Sequence, residues 1–488
     1  MKWFDNYRIR LVFAGFITAI VLGGIGLANG ATATVGQGAG YDFDTIQAGI
    51  DAANDADTVL VAPGEYVITE PITFRGKAIT VRSEAGPDQT TIRMGTPTDP
   101  DRGSVVVFEN NETTDSVLDG FAITGGKGSW LVSRNEWGGG GIFFNASSGI
   151  VRNCAIVQNT AKHGGGVLCF HPCSPNLIDC TIVKNSAELG FGGGVFAFTG
   201  SSLSVTNCII RDNSATGNMY GTGCGGGACC YRDSFMTLTN CTIAENSAGN
   251  TGGGVLYGEN SSVTMTHCAI VANMGPNWGG GVASYLEAAA TIRNCTIWGN
   301  SASINGGGLG CYNGASATVT NSILWRNTAT TGNEIYLEQA PTEFSVTYSN
   351  VAGGQTGVSV EGGTLNWGEG NIDTDPYFAD SSGGDYHLKS QSRRWDLDSQ
   401  TWMQDDVTSP CIDAGDLMSP IGLEPFPNGG FVNMGAYGGT PKASSSYFGE
   451  PVCETIIAGD INGDGQVNRA DLEIMALHWT DEEPLPLP

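Results

Sequence analysis

The sequence predicts an all-β parallel solenoid, a β-helix with coils of about 27 residues, and three observations predict it. Six cysteines, Cys154, Cys180, Cys208, Cys241, Cys268 and Cys295, are separated by 26, 28, 33, 27 and 27 residues. Each is followed two residues later by Ile and five residues later by Asn, from Ile156 and Asn159 to Ile297 and Asn300. Each is then followed by a glycine triplet and an aliphatic residue or Ala, from Gly164 and Val167 to Gly306 and Leu309. A period held this long marks repeats that bury their apolar faces only by stacking. A seventh copy has Ser322, Leu324 and Asn327, and an earlier triplet ends at Ile142.

Around each Cys the apolar residues alternate, as in Leu203, Val205, Cys208 and Ile210. Short alternating runs broken by Gly and Asn are strands. About three such strands per repeat make one coil, and successive coils lie ~4.8 Å apart, so equivalent residues stack in columns. The Asn column reads as a hydrogen-bonding ladder at a bend, and the Cys column as small inward hydrophobes. The residue after the triplet lies 13 positions before the next Cys in every full repeat. All length variation therefore falls between the Asn and the triplet, and that corner is the expected functional face. Its longest insertion runs from Ser214 to Cys224.

Composition agrees. Gly is 73 of 488 residues, twice the usual ~7%, without the strict period of collagen. The formal net charge of −27 opposes nucleic acid and anionic membrane surfaces as partners. It suits calcium loops and is awkward for a polyuronide substrate without calcium or a local basic patch.

The elements follow in order. Lys2, Arg8 and Arg10 precede an apolar run from Leu11 to Leu27, and Ala28-Asn29-Gly30 ends in small residues. Residues 1–30 read as a secretory signal peptide, with an uncleaved anchor as the alternative, so the mature chain is expected outside the cell, secreted or on its surface. In residues 43–53, Ile46, Ile50 and Ala53 share one helical face, and Thr58–Val61 is a strand. The solenoid spans 31–365, with the repeats in 118–340. From about Asn366 the repeat stops, and 366–450 reads as a C-terminal cap. In residues 451–488, Asp460, Asn462, Asp464, Asn468 and Asp471 fall at positions 1, 3, 5, 9 and 12 of a loop, with Gly465 at its sharp turn. The Gln466 carbonyl stands at position 7, which completes a set of hard oxygens suited to calcium, and a helix follows.

The N-x-C-T-I-x-x-N-S-A and G-G-G-V pattern resembles right-handed parallel β-helix repeat proteins of the pectate-lyase-like superfamily. It is similar to the repeats of polymorphic outer-membrane proteins. The resemblance covers residues 35–360 and implies a right-handed coil with an N-terminal capping helix. The calcium loop resembles one half of a dockerin, an EF-hand-like module, which implies a cohesin-like or cell-surface partner. Only one half is present, where a dockerin has two.

Two sets of side chains are candidates for function. Phe170, Phe198, Tyr231, Tyr285 and Tyr312 each lie four residues after a triplet, so alternation points them outward or into the turn. Trp298 and Trp325 stack in adjacent coils, and Trp137, Phe191 and Trp278 precede triplets at the insertion corner. Exposed rings suit the CH faces of pyranoses; the alternative is that they pack on one another. Lys184, Asp212 and Glu245 stand four residues after successive Cys, with Arg211 adjacent. Two carboxylates one coil apart suit a glycosidase, and a Lys or Arg beside acidic residues suits β-elimination; the alternative is a salt-bridged surface column. Cys169, His171, Cys173 and His163 do not have a usual zinc spacing, and a Cys169–Cys173 disulfide or buried thiols is the expectation. No phosphate loop, dinucleotide fingerprint or nucleophile elbow is present, which excludes nucleotide chemistry. Two readings remain: a monomeric protein that binds or processes extracellular polysaccharide, by pectate-lyase-like β-elimination if the resemblance extends to activity, or a non-catalytic surface or adhesion protein.

Overall fold

The computed structural model describes residues 30–217, 222–449, 461 and 466–478. The strands are short because each coil bends at every Asn and Gly. They pair in parallel with the same strand of the next coil, residue for residue: Ile182 opposes Ile210, which opposes Ile243. Among the described residues this builds a first sheet of 13 strands ahead of the Cys column, from Thr32–Val35 to Thr364–Trp367. A second sheet of 11 strands follows the Cys, and a third of 11 follows the triplet. A fourth, six-stranded sheet, one more than the three-strand coil expected, fills the start of the insertion corner, from Thr160–Ala161 to Ser301–Ala302. Helix α1, Ile46–Ala52, starts at Thr45, whose hydroxyl accepts the Ala48 N–H, and buries Ile46 and Ile50 against the first coil.

The Asn column is a ladder. Asn213 Nδ2 donates to the Ile182 carbonyl at 2.8 Å and to Asn246 Oδ1 at 3.1 Å, and the Asn213 N–H donates to that same Oδ1 at 3.0 Å. The pattern repeats up to Asn327, where Glu334 takes the place of the next Asn and accepts both the N–H and Nδ2. The triplets are equally constrained. Gly225 has φ +68°, and a Cβ on Gly226 would stand 2.4 Å from the Ser247 carbonyl oxygen of the next coil.

The six Cys of the repeat point inward with Ile, Val and Leu in one continuous core. All 13 described cysteines are free, buried thiols, including Cys169 and Cys173, so of the two states expected for that pair the structure has the thiols.

Two additions lie on the outside. Arg102–Gly103, Gly128–Leu131 and Glu136–Gly138 form a small antiparallel sheet at the edge of the third sheet. It is held by Glu136, which binds Lys162 Nζ at 2.6 Å and His163 Nε2 at 2.6 Å. His163 Nδ1 accepts the Phe191 N–H, so Nε2 carries the proton that points at Glu136. The segment that follows the last coil runs back along the outer face of the second sheet. Asn294 Nδ2 donates to the Asn433 carbonyl and the Ala436 N–H to Thr296 Oγ1. Tyr386, Leu388, Ile412, Met434 and Ala436 cover Ala244, Val271, Trp298, Ile323 and Trp325.

Candidate functional site

The corner between the second and fourth sheets brings together the four predicted charged residues. Lys184, Asp212 and Glu245 all have φ near +55°, since each turns the chain ahead of the Asn ladder. Arg211 lies on the outer face of the second sheet and binds both Glu245 oxygens, at 2.7 and 2.8 Å from Nη2. Its Nε stands 3.6 Å from Asp212. Burial raises the Asp212 carboxyl and Arg211 opposes the shift, while Glu245 adds to it. This is the salt-bridged column, with Arg211 committed to carboxylates.

Of the two arrangements expected for the aromatic columns, most rings take the packed one. Phe170, Phe198 and Tyr312 point outward from the third sheet, yet each is at most 4% exposed. The reason is crowding on that face: Phe143, Leu168 and Phe196 also point outward, two residues earlier, and with Leu131 of the small sheet they close a second apolar cluster. Phe170 stacks on Phe198 at 5.8 Å, and the guanidinium of Arg134 lies 4.6 Å over Phe198. Trp278 stacks on Tyr312 at 4.7 Å. Trp298 and Trp325 are covered by the C-terminal segment. Trp137, 42% exposed and packed edge-on to Trp130, and Tyr285, 36% exposed, remain accessible, and Tyr231 is half-buried.

A cavity of about 420 Å³ opens at another corner, where the third sheet turns into the first. It is lined by Arg232, Asp233, Glu259, Asn260, Leu286 and Glu287, two residues from each of three successive coils. All six have positive φ, between +47° and +59°. The flanking coils make the same double left-handed turn as Thr199-Gly200 and Asn313-Gly314, with glycine second. The three central coils place Asp233, Asn260 and Glu287 where glycine would be unstrained. Glu259 accepts from Tyr231 Oη at 2.9 Å and from Arg232 Nε at 3.2 Å. Burial comes first among the causes that raise the Tyr231 phenol, and its bond to Glu259 adds to it. Asp233 and Glu287 are exposed, as are Tyr285 and, two residues after Asp233, the ring of Phe235. Sequence reasoning missed Glu259, Asn260, Leu286, Glu287 and Phe235. The 27-residue spacing of Asp233, Asn260 and Glu287 was the available signal.

Among the described residues no group of three or more His, Cys, Asp or Glu is placed to hold a metal. Cys169 points into the core while the His171 ring turns out against Phe170, so that cluster does not converge. Of the calcium-loop residues, Asp460, Asn462 and Asp464 lie outside the described residues. Asp471 is buried, and its oxygens accept the Ile461 and Asn468 N–H groups at 2.7 Å each. Asn468 accepts the Ala470 N–H at the start of helix α2, Arg469–His478.

Comparison with known proteins agrees on the architecture. Residues 100–229 match the family described as right handed beta helix region, and residues 315–415 match one described as disaggregatase related. The coil is therefore a right-handed β-helix. No curated protein matches the chain. Among solved structures, pectate lyase Pel9A is similar at 14% identity, with 84% of this chain and 97% of that chain covered and a TM-score of 0.42. The Azotobacter vinelandii mannuronan C-5 epimerase AlgE6 A-module follows at 16% identity, 68% and 94% coverage and a TM-score of 0.37. A pectin methylesterase from carrot is similar at 11% identity, 62% and 83% coverage and a TM-score of 0.33.

Proposed function

We propose that this chain is a secreted β-helix protein that binds an extracellular polysaccharide at the corner formed by residues 231–235, 258–260 and 285–287. One observation carries the reading: three successive coils replace the unstrained glycine of their turn with Asp233, Asn260 and Glu287 around a cavity. Left-handed residues other than Gly cost ~1–2 kcal/mol each, and such strain gathers at functional sites. Accessible Tyr285 and Phe235 supply flat apolar faces for sugar rings, and the exposed carboxylates supply acceptors for hydroxyls.

The charge at this corner selects the glycan. Asp233, Glu259 and Glu287 outnumber Arg232, whose guanidinium binds Glu259. A neutral glycan fits such a site, and a polyuronide needs bridging calcium. The same balance weighs against β-elimination here, and Arg211 at the other corner is held by Glu245. Binding without cleavage is the reading we favour, and the C-terminal loop is a calcium-dependent attachment device for a cohesin-like or cell-surface partner.

The test is affinity electrophoresis of residues 31–488 through neutral and acidic polysaccharides, with ultraviolet absorbance and reducing ends followed in parallel. Retardation by a neutral glycan, lost in Asp233→Ala and Glu287→Ala and kept in Asp212→Ala, is the expected result. Unsaturated products that disappear with Asp212→Ala or Lys184→Ala would instead make the protein a lyase working at the salt-bridged corner.

A further inference from the structure

The small antiparallel sheet has one face that the fold uses and one that it leaves to solvent. Leu131 and Glu136, opposite each other in register, point inward. Leu131 enters the second apolar cluster, and Glu136 binds Lys162 and His163. By the period of two, Trp130 and Trp137, the next opposed pair, point outward. Their rings meet edge-on at 4.3 Å, and Trp137 is 42% exposed. Val132 at the tip is 85% exposed.

The edge of this sheet is already taken. The His163 N–H donates to the Trp137 carbonyl at 3.1 Å, and the Gly139 N–H to the His163 carbonyl at 2.9 Å. A peptide strand cannot add there, so a ligand must be recognised by the face. That face is built on strands of four and three residues, far below the ~20–30 residues a side of a stable protein interface. Two fixed indoles of this extent suit the CH faces of sugar rings.

The tip of the hairpin also reaches the corner that lines the cavity. Arg134 of the tip and Arg232 of the cavity lie over the same ring, that of Phe198, at 4.6 and 5.2 Å. Each commits its Nε to a glutamate, Arg134 to Glu136 at 3.1 Å and Arg232 to Glu259 at 3.2 Å. Both charges are thus offset, and the outer guanidinium nitrogens remain as donors for the hydroxyls of a neutral sugar.

We propose that Trp130 and Trp137 form a second sugar subsite, joined to the corner at residues 231–287 through Arg134 and Arg232, an inference that rests on the corner binding glycan. The ligand is then a polysaccharide chain held at two places, not a short oligosaccharide. Two linked contacts multiply affinity, and a fragment too short to span them gains from one alone.

The test uses residues 31–488 with soluble galactomannan, xyloglucan and arabinoxylan, each also as fragments of two or three sugars. Trp137→Ala should weaken retardation by the polymer at least tenfold, and Trp137→Phe, which keeps a ring, by less. Bromosuccinimide oxidation of the unaltered protein, located by mass spectrometry, should reach Trp137. At equal sugar concentration the polymer should protect Trp137 at least tenfold better than the fragments. This footprint decides even where Trp137→Ala loosens the hairpin. Retardation lost in Asp233→Ala, with Trp137 oxidised equally with and without polymer, overturns the second subsite and leaves the corner standing. Retardation kept in Asp233→Ala and lost in Trp137→Ala overturns the corner and the joined site alike. No retardation by any of the three polymers does the same.

Discussion

Glu334 shows how much a single side chain can decide. The Asn ladder needs an acceptor at its far end, because Asn327 presents both an N–H and an Nδ2 donor there. A carboxylate provides one, yet burial pushes Glu334 up to about 7, with the two bonds from Asn327 pulling the other way. The folded pKa exceeds the unfolded value, so the contribution to stability is full below pH 4.5 and is lost as pH rises through about 7. The expected size is about 3 kcal/mol at most. Glu334→Gln keeps an oxygen for both donors and loses the titration. Urea denaturation at pH 4.5 and pH 8 should therefore show a smaller drop in stability for Glu334→Gln than for the parent. Glu334→Ala leaves two buried donors unmet and should cost about 2–4 kcal/mol at either pH.

At the scale of the element, the turns between the third and first sheets separate function from stability. If Asp233 and Glu287 are retained for binding, glycine should serve the fold at least as well. Glycine removes ~1–2 kcal/mol of left-handed strain and adds ~0.5–1 kcal/mol of unfolded-state entropy. Asp233→Gly and Glu287→Gly should each leave Tm equal or a degree or two higher while weakening glycan retardation at least tenfold. A fall in Tm of several degrees would mean the carboxylates are structural. The same turns show where sequence reading stops. The Cys, Asn and triplet columns were legible because stacking forces one chemistry on each column. Strand alternation placed Phe170, Phe198 and Tyr312 outward but could not show that Leu168, Phe196 and Leu131 of a distant hairpin would bury the first two, or that Trp278 and Tyr336 would cover the third. The charge column at Lys184, Asp212 and Glu245 was visible from spacing, whereas Asp233, Asn260 and Glu287 share a 27-residue spacing but acquire meaning only from the left-handed turn they occupy.

Over the whole molecule, the part without a repeat was the least legible, because nothing periodic ties residues 372–446 to the second sheet. Their placement follows from what that sheet exposes from Ala244 onward: Val271, Trp298, Ile323 and Trp325 would otherwise face water. The solenoid is stacked coil on coil by continuous parallel pairing, while the segment is held from one side. It should therefore open first, as a local unit of lower stability. The cysteines report this. Cys208 lies in the continuous core, and Cys411 lies in the segment, on its inner side, with its Sγ accepting from Asn350 Nδ2 at 3.0 Å. Both are buried, so neither reacts while covered, and burial also pushes the Cys411 thiol up to about 12. Pulsed alkylation under native conditions should leave all 13 described cysteines unlabelled. As guanidinium is raised below the main transition, Cys411 should label before Cys208, with far-ultraviolet circular dichroism still intact. Simultaneous labelling of the two would mean that segment and solenoid unfold as one unit, and that the segment is part of the coil's cooperative core.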